Sequence, residues 1–167
     1  MKTHEVLLSA AIILSALMSG FFFAYSFSVN LGLHKLDNKA YLQAMQNINK
    51  EVLNPVFYSC FCGALLLLIT CSVIYFDLHS TKFYLLLCAC VSYTIGVFII
   101  TGTRNVPLNN QLAVFDNITA SEASLKNMRE TFQSPWVFWN NIRTLSSFIT
   151  LICLIISVVF FGSSSKT

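Results

Sequence analysis

The sequence predicts an all-α protein, a transmembrane four-helix bundle with short interfacial helices in the connections between spans 1 and 2 and between spans 3 and 4. Three observations carry this. Of 167 residues, 56% are hydrophobic and only 10% charged, with a mean hydropathy of +0.69, more apolar surface than a soluble domain of this length buries. Four windows run without formal charge for long enough to cross about 30 Å of hydrocarbon at about 1.5 Å per helical residue. Asparagines and arginines gather at the ends of those windows, on one face of the membrane. The chain reads as a single integral membrane domain, residues 1–167, with spans at about 6–33, 55–76, 83–103 and 142–161.

The first span lies between Glu5 and Lys35, where VLLSAAIILSALMSGFFFAYSFSVNLGL carries no formal charge before His34. It is too long for the apolar core of a signal peptide and lacks a small-residue cleavage pattern, so it is expected to stay in the mature chain. In the connection that follows, Tyr41, Ala44, Met45, Ile48 and Val52 recur at steps of three or four, while Lys39, Gln43, Asn47 and Lys50 lie largely off that stripe. This is the pattern of a short amphipathic helix at the interface. Asn54-Pro55 then supplies an N-cap and a proline at the first helical position, which starts the second span.

A tight connection from Asp77 to Lys82 leads into the third span. Beyond it, Pro107 is expected to break the helix and open a short one carrying Leu108, Leu112 and Phe115, turning the chain back across the bundle mouth. Thr119-Ala-Ser-Glu122 has capping-box spacing and precedes a second stripe of Leu125, Met128 and Phe132. Two partly inserted helices would thus cap the bundle. Trp136 and Trp139 fall where indoles commonly meet the membrane interface, just before the fourth span. The tail GSSSKT is expected to fray.

Cys60, Cys62, Cys71, Cys88, Cys90 and Cys153 all fall within spans, and there is no C-x-x-C. The pairs spaced by two stand roughly 200° apart around a helix, unsuited to an intrahelical disulfide. They read as small packing residues, which disfavours a disulfide-generating quinone reductase. A net charge of +3 from scattered bases gives no nucleic-acid footprint. Four spans put both termini on one side with Lys2, Lys82 and Lys166; the loop face receives Lys35, Lys39, Lys50, Arg104, Lys126, Arg129 and Arg143. The positive-inside rule then predicts a cytoplasmic loop face. On that orientation the sequon Asn117-Ile118-Thr119 would not meet the glycosylation machinery.

The same topology gathers the candidate site. Ser28 and Asn30 end the first span, Gln46, Asn49 and Asn54 precede the second, Arg104 and Asn105 end the third, and Asn140, Asn141 and Arg143 begin the fourth. Amides and guanidinium groups at membrane depth either form an internal hydrogen-bond network or line a wet cavity. Asparagine offers donor and acceptor together, and arginine a fixed fork of donors suited to phenolate, enolate or carboxylate oxygens. From this cluster Asn30, Asn49, Asn105, Asn140 and Arg143 are candidate site residues, with His34, on the helical face of Asn30, as a base at the cavity mouth. The alternative is a polar clasp that staples the loop helices to the bundle. His4, His34 and His79 have no haem- or metal-binding spacing, so no metal site is expected. No glycine-rich phosphate loop or G-x-S-x-G is present.

Several blocks occur in a characteristic order: GFFFAYSFSV (20–29), AMQNIN (44–49), NPVF (54–57), NVPLN (105–109) and W-x-x-W-N-x-x-R-T over Trp136, Trp139, Asn140, Arg143 and Thr144. Together they resemble the anthrone oxygenase-like family of small four-helix membrane proteins. The resemblance implies a four-helix bundle and, as in fungal members, cofactor-independent oxidation of an anthrone methylene to a quinone carbonyl by dioxygen. Asn105, Pro107, Asn109, Trp139, Asn140 and Arg143 are among the positions that recur in the family, which implies Arg143 as electrostatic stabiliser, Asn105, Asn109 and Asn140 as groups that orient oxygens, and Trp139 as a further binding residue. Where relatives often carry V-M-P-A-L, this chain has Val29-Asn30-Leu31-Gly32-Leu33, so its first helix is expected to end differently.

Two functions follow as expectations. One is a membrane oxidoreductase acting on a hydrophobic phenolic, anthrone- or quinol-like molecule. The other is a non-enzymatic membrane protein that binds lipid or small molecules, or assists assembly, with the Asn/Arg cluster as a clasp. A transporter ranks third, because four spans without an inverted repeat offer little for alternating access. The expected partners are the bilayer, a hydrophobic small molecule or lipid, and a second copy of the chain as a homo-oligomer.

Overall fold

The computed structural model describes residues 2–161, and the tail GSSSKT lies outside them. Five helices make up the fold among these residues: α1 (Thr3–Leu33), α2 (Asn38–Glu51), α3 (Pro55–Ile74), α4 (Thr81–Ala113) and α5 (Glu122–Val159). All but α2 are long and apolar enough to cross a membrane. The long helices pack in a closed ring, α1 on α3, α3 on α4, α4 on α5 and α5 on α1, while α2 lies across α5 and the C-terminal end of α4.

Local chemistry explains where the helices start. Asn54 Oδ1 accepts the Phe57 N–H at 3.0 Å with Pro55 in the first turn, as expected from the sequence. Asp37 caps α2 through the Ala40 N–H at 2.8 Å. Of the expected stripe of α2, Tyr41 and Met45 are fully buried and Ala44, Ile48 and Val52 partly so, and Leu42, outside that stripe, is fully buried beside them. Tyr41, Leu42 and Met45 join Leu112, Leu125, Phe132 and Trp136 in an apolar cluster that closes the loop-face end of the bundle. The main core is separate and lies between the spans, around Leu8, Met18, Phe22, Phe61, Leu68, Leu86, Tyr93 and Leu154.

The third and fourth spans differ from their sequence expectation. Pro107 does open a helical segment over Val106–Ala113, but that segment continues the third span instead of turning back. Val106, the residue before the proline, keeps helical angles (φ −60°, ψ −45°). The turn ahead of it is widened to i→i+5 bonding over Thr101–Asn105, with the Val106 N–H reaching the Thr101 carbonyl. Widening moves the proline ring away from the carbonyl it would otherwise meet, and Thr101 and Thr103 bond their hydroxyls to Val97 O and Ile99 O, 2.7 and 2.8 Å away. Likewise the stripe of Leu125, Met128 and Phe132 belongs to no separate helix. It is the N-terminal extension of α5, which runs through Pro135 into the fourth span. Its N-cap is Ser121, whose Oγ accepts the Ser124 N–H at 3.3 Å, and Thr119 bonds to Asp116 instead.

Two further widened turns lie at Tyr25–Val29 in α1 and Thr94–Ile99 in α4. Such turns are rare and concentrate at functional sites. Here they set phase. Tyr93, Val97 and Asn105 are all buried at multiples of four residues, a spacing that drifts about 40° per step in a regular α-helix. The wide turns absorb that drift and keep Asn105 pointing into the bundle.

Candidate functional site

On α5, Trp136, Asn140, Arg143, Thr144, Ser147, Thr150 and Leu154 form one buried stripe at steps of three and four. Arg143 is only 6% exposed. Its Nη2 donates to Asn140 Oδ1 at 2.9 Å and its Nη1 to Thr101 Oγ1 at 3.4 Å, whereas Nε is buried without a partner. The guanidinium lies 4.7 Å from the Phe22 ring centroid and 5.4 Å from that of Trp136. The one ion pair among the described residues, Lys126 with Glu130, lies elsewhere on the exposed face of α5. Two aromatic faces offset part of the desolvation cost, at about 0.5 to 2 kcal/mol each, against several kcal/mol for burying the charge.

Asn140 links this cation to α1. Its Nδ2 donates to Ser26 Oγ at 2.9 Å; Ser26 Oγ also donates to Asn141 Oδ1 at 2.8 Å and lies 2.8 Å from Thr144 Oγ1. Thr144 Oγ1 is 3.0 Å from the Phe22 carbonyl. The Ser26, Asn141 and Thr144 end of this network forms the polar floor of a groove of about 380 Å³ between α1 and α5, whose walls include Phe23, Phe27, Leu145 and Phe148. Those four walls are on the outer, lipid-facing surface of the spans.

The other candidates fall into three places. Asn105 is buried beside the cluster: its Nδ2 donates to the Trp136 carbonyl at 3.3 Å and its Oδ1 has no partner. Asn109 accepts the Trp136 indole N–H at 2.8 Å, but with Asn49 it lines a different cavity, of about 550 Å³, under α2. Asn30 is 6% exposed with both amide atoms unpartnered. Trp139 packs outside the cluster under the Arg104 guanidinium, 4.9 Å from its ring centroid. His34 is exposed, with Nδ1 2.7 Å from Gln133 Nε2. Its backbone carbonyl accepts from Arg129 Nη2 at 2.8 Å. The structure therefore pairs Asn140 with Arg143, connects Asn105 and Asn109 to them through Trp136, and sets His34 in a separate surface clamp.

Sequence reading overlooked Ser26, Thr101 and Phe22 as contacts of this cluster, and took Trp136 for an interface residue. Trp136 was accessible, since it stands one helical turn before Asn140 and two before Arg143. Ser26 and Thr101 carry no comparable signal. The sequon asparagine, Asn117, is buried, and its amide donates to Gln46 Oε1. A glycan has no access to it in this fold.

No curated protein and no solved structure matches the chain. Residues 55–153 match the family described as anthrone oxygenase, a stretch that contains Asn105, Asn109, Trp136, Asn140 and Arg143 and starts after the helix bearing Ser26 and Asn30. With four membrane-length helices and a match over more than half of its length, the chain belongs to the anthrone oxygenase family.

Proposed function

We propose that the protein is a membrane-embedded, oxygenase-like oxidoreductase that works without a cofactor on a hydrophobic phenolic, anthrone- or quinol-like molecule taken from the bilayer. The observation that carries this reading is Arg143, a buried cation with no carboxylate partner and one nitrogen, Nε, without any hydrogen-bond partner. An enolate or phenolate oxygen is the partner such a group lacks. The groove floored by Ser26, Asn141 and Thr144 supports a lateral route, because its aromatic walls suit a planar ring and its floor is hydrogen-bonded through Asn140 to the guanidinium.

The chemistry asks little of the protein. An anthrone enolises, and its electron-rich anion itself reduces dioxygen. The ring methylene and O2 become a ring carbonyl and water, with the substrate supplying all four electrons. Arg143 would stabilise the developing oxyanion while Asn105 and Asn140 orient it, a contribution worth about 10²- to 10³-fold in rate for a single donor.

A second reading is a non-enzymatic membrane protein, and the closed hydrogen-bond set of Ser26, Asn140 and Thr144 favours it as a clasp between α1 and α5. Oxygen uptake by protein in lipid nanodiscs loaded with anthrone separates the two. The oxygenase reading expects uptake above the uncatalysed rate that falls at least 100-fold in Arg143→Gln while helicity is kept. Uptake at the background rate across anthrones, phenols and quinols would leave the clasp standing.

A further inference from the structure

A second cavity lies away from the groove. It is the cavity of about 550 Å³ between α2, the C-terminal end of α4 and the α4–α5 connection. Its walls combine apolar surface with amide side chains, among them Gln43, Asn47, Asn49, Asn109 and Asn110. Gln46 shapes the space: its Nε2 donates to the carbonyls of Leu112 and Phe115 at 2.7 and 2.9 Å, and its Oε1 accepts from Asn117. After these bonds, Asn49 Nδ2 and the oxygen of Asn117, a side chain 94% buried (6% exposed), are left without protein partners. Both residues line the cavity, and an unpaired donor and acceptor in its wall carry a desolvation cost.

We infer that this cavity binds a neutral, hydroxyl-rich group of the sugar class, either a free glycoside or the glycosyl headgroup of a lipid. An amide presents an acceptor beside two donors, which matches neighbouring hydroxyls that each donate and accept. Phe115 and Leu53 supply apolar lining for the C–H face of a ring. The charges point away from other ligand classes. Asp116 is the one carboxylate in the lining, and it is committed to the Thr119 hydroxyl and the Ile118 and Thr119 amides, too little for a hard cation. Lys39 and Lys50 are exposed, without the arginine fork that grips a phosphate. The site stands independently of the oxygenase reading.

The test uses the full chain in phosphatidylcholine nanodiscs prepared without glycosidic detergent. Saturation-transfer NMR with methyl β-galactoside reports the free sugar, and thermal stability in nanodiscs doped with galactosyl diacylglycerol reports the headgroup. Either signal supports the site, provided the dissociation constant rises roughly fivefold in Asn49→Leu or Asn110→Ala, one hydrogen bond being worth about 1 kcal/mol. Asn110 is exposed, so that variant keeps the fold even if Asn49→Leu does not. The inference is overturned by silence in both measurements, by binding that both variants leave unchanged, or by inorganic phosphate displacing the sugar.

Discussion

Arg143 Nη2 donates to Asn140 Oδ1 across 2.9 Å, one turn back along the same helix. The amide is thereby turned so that its NH2 faces Ser26 on α1, 2.9 Å away. One asparagine thus couples a buried cation to the floor of a lipid-facing groove, and the two ends respond differently to substitution.

Arg143→Met removes a charge whose burial costs several kcal/mol and leaves one amide oxygen unpaired, at about 1 to 3 kcal/mol. The melting temperature in detergent is expected to hold or rise, while anthrone oxidation drops at least 100-fold. A clasp would show the reverse pattern, a lowered melting temperature, so differential scanning fluorimetry beside oxygen uptake decides between them.

Ser26→Ala deletes the hydroxyl shared by Asn140, Asn141 and Thr144, leaving Asn140 Nδ2 only the Phe22 carbonyl at 3.5 Å. Hydrogen bonds between membrane helices average about 0.6 kcal/mol, so stability should fall by about 1 kcal/mol or less. Because Ser26 sits at the groove and not at the cation, KM is expected to rise several-fold with kcat little changed. Steady-state kinetics across substrate loading in nanodiscs checks this.

Gly96 faces Ser146 where α4 meets α5, and any Cβ there would collide with the serine Cβ and hydroxyl. The helices are already tied at this level by Ser92 Oγ on the Ser146 carbonyl, 2.9 Å, and by Thr150 Oγ1 on the Ala89 carbonyl, 3.3 Å. Gly96→Ala should cost about 1 to 3 kcal/mol by overpacking. Pairing it with Ser146→Gly should restore most of the loss, which chemical unfolding of the single and double variants measures.

Asp116 carries the α4–α5 connection. Hydrogen bonds from the Thr119 hydroxyl and the Ile118 and Thr119 amides hold its carboxyl below the usual carboxylate range. A folded-state pKa that is depressed contributes order above the unfolded value, about 4, and loses it as pH falls through the lower folded value. Exchange of the Ile118 and Thr119 amides should therefore quicken only below about pH 4. In Thr119→Val the onset is expected to move to higher pH.

Legibility differed by element. The spans were readable because apolar length alone decides them, and the α2 stripe because its period matches its burial. Hairpin topology alone brings Asn105, Asn140 and Arg143 to one end of the bundle. Pro107 was misleading: the rule that proline ends a helix assumes a regular turn ahead of it, and the Thr101–Asn105 turn is widened. His34 follows Asn30 by one helical turn, its N–H on the Asn30 carbonyl at 2.9 Å, but it stands at the end of α1, so Asn30 is buried while His34 meets Gln133 at the surface.

The sequence by itself determined four membrane-length helices, their order, and the end of the bundle where polar groups collect, because these follow from hydrophobic length and chain connectivity. Only the tertiary structure decided which of those groups meet. That depends on helix rotation, which the widened turns in α1 and α4 reset, and on partners such as Ser26, Phe22 and Thr101 that are distant in sequence from Arg143. Rotational phase and distant pairing leave no periodic trace in a single chain, so the buried guanidinium became visible only when the helices were packed.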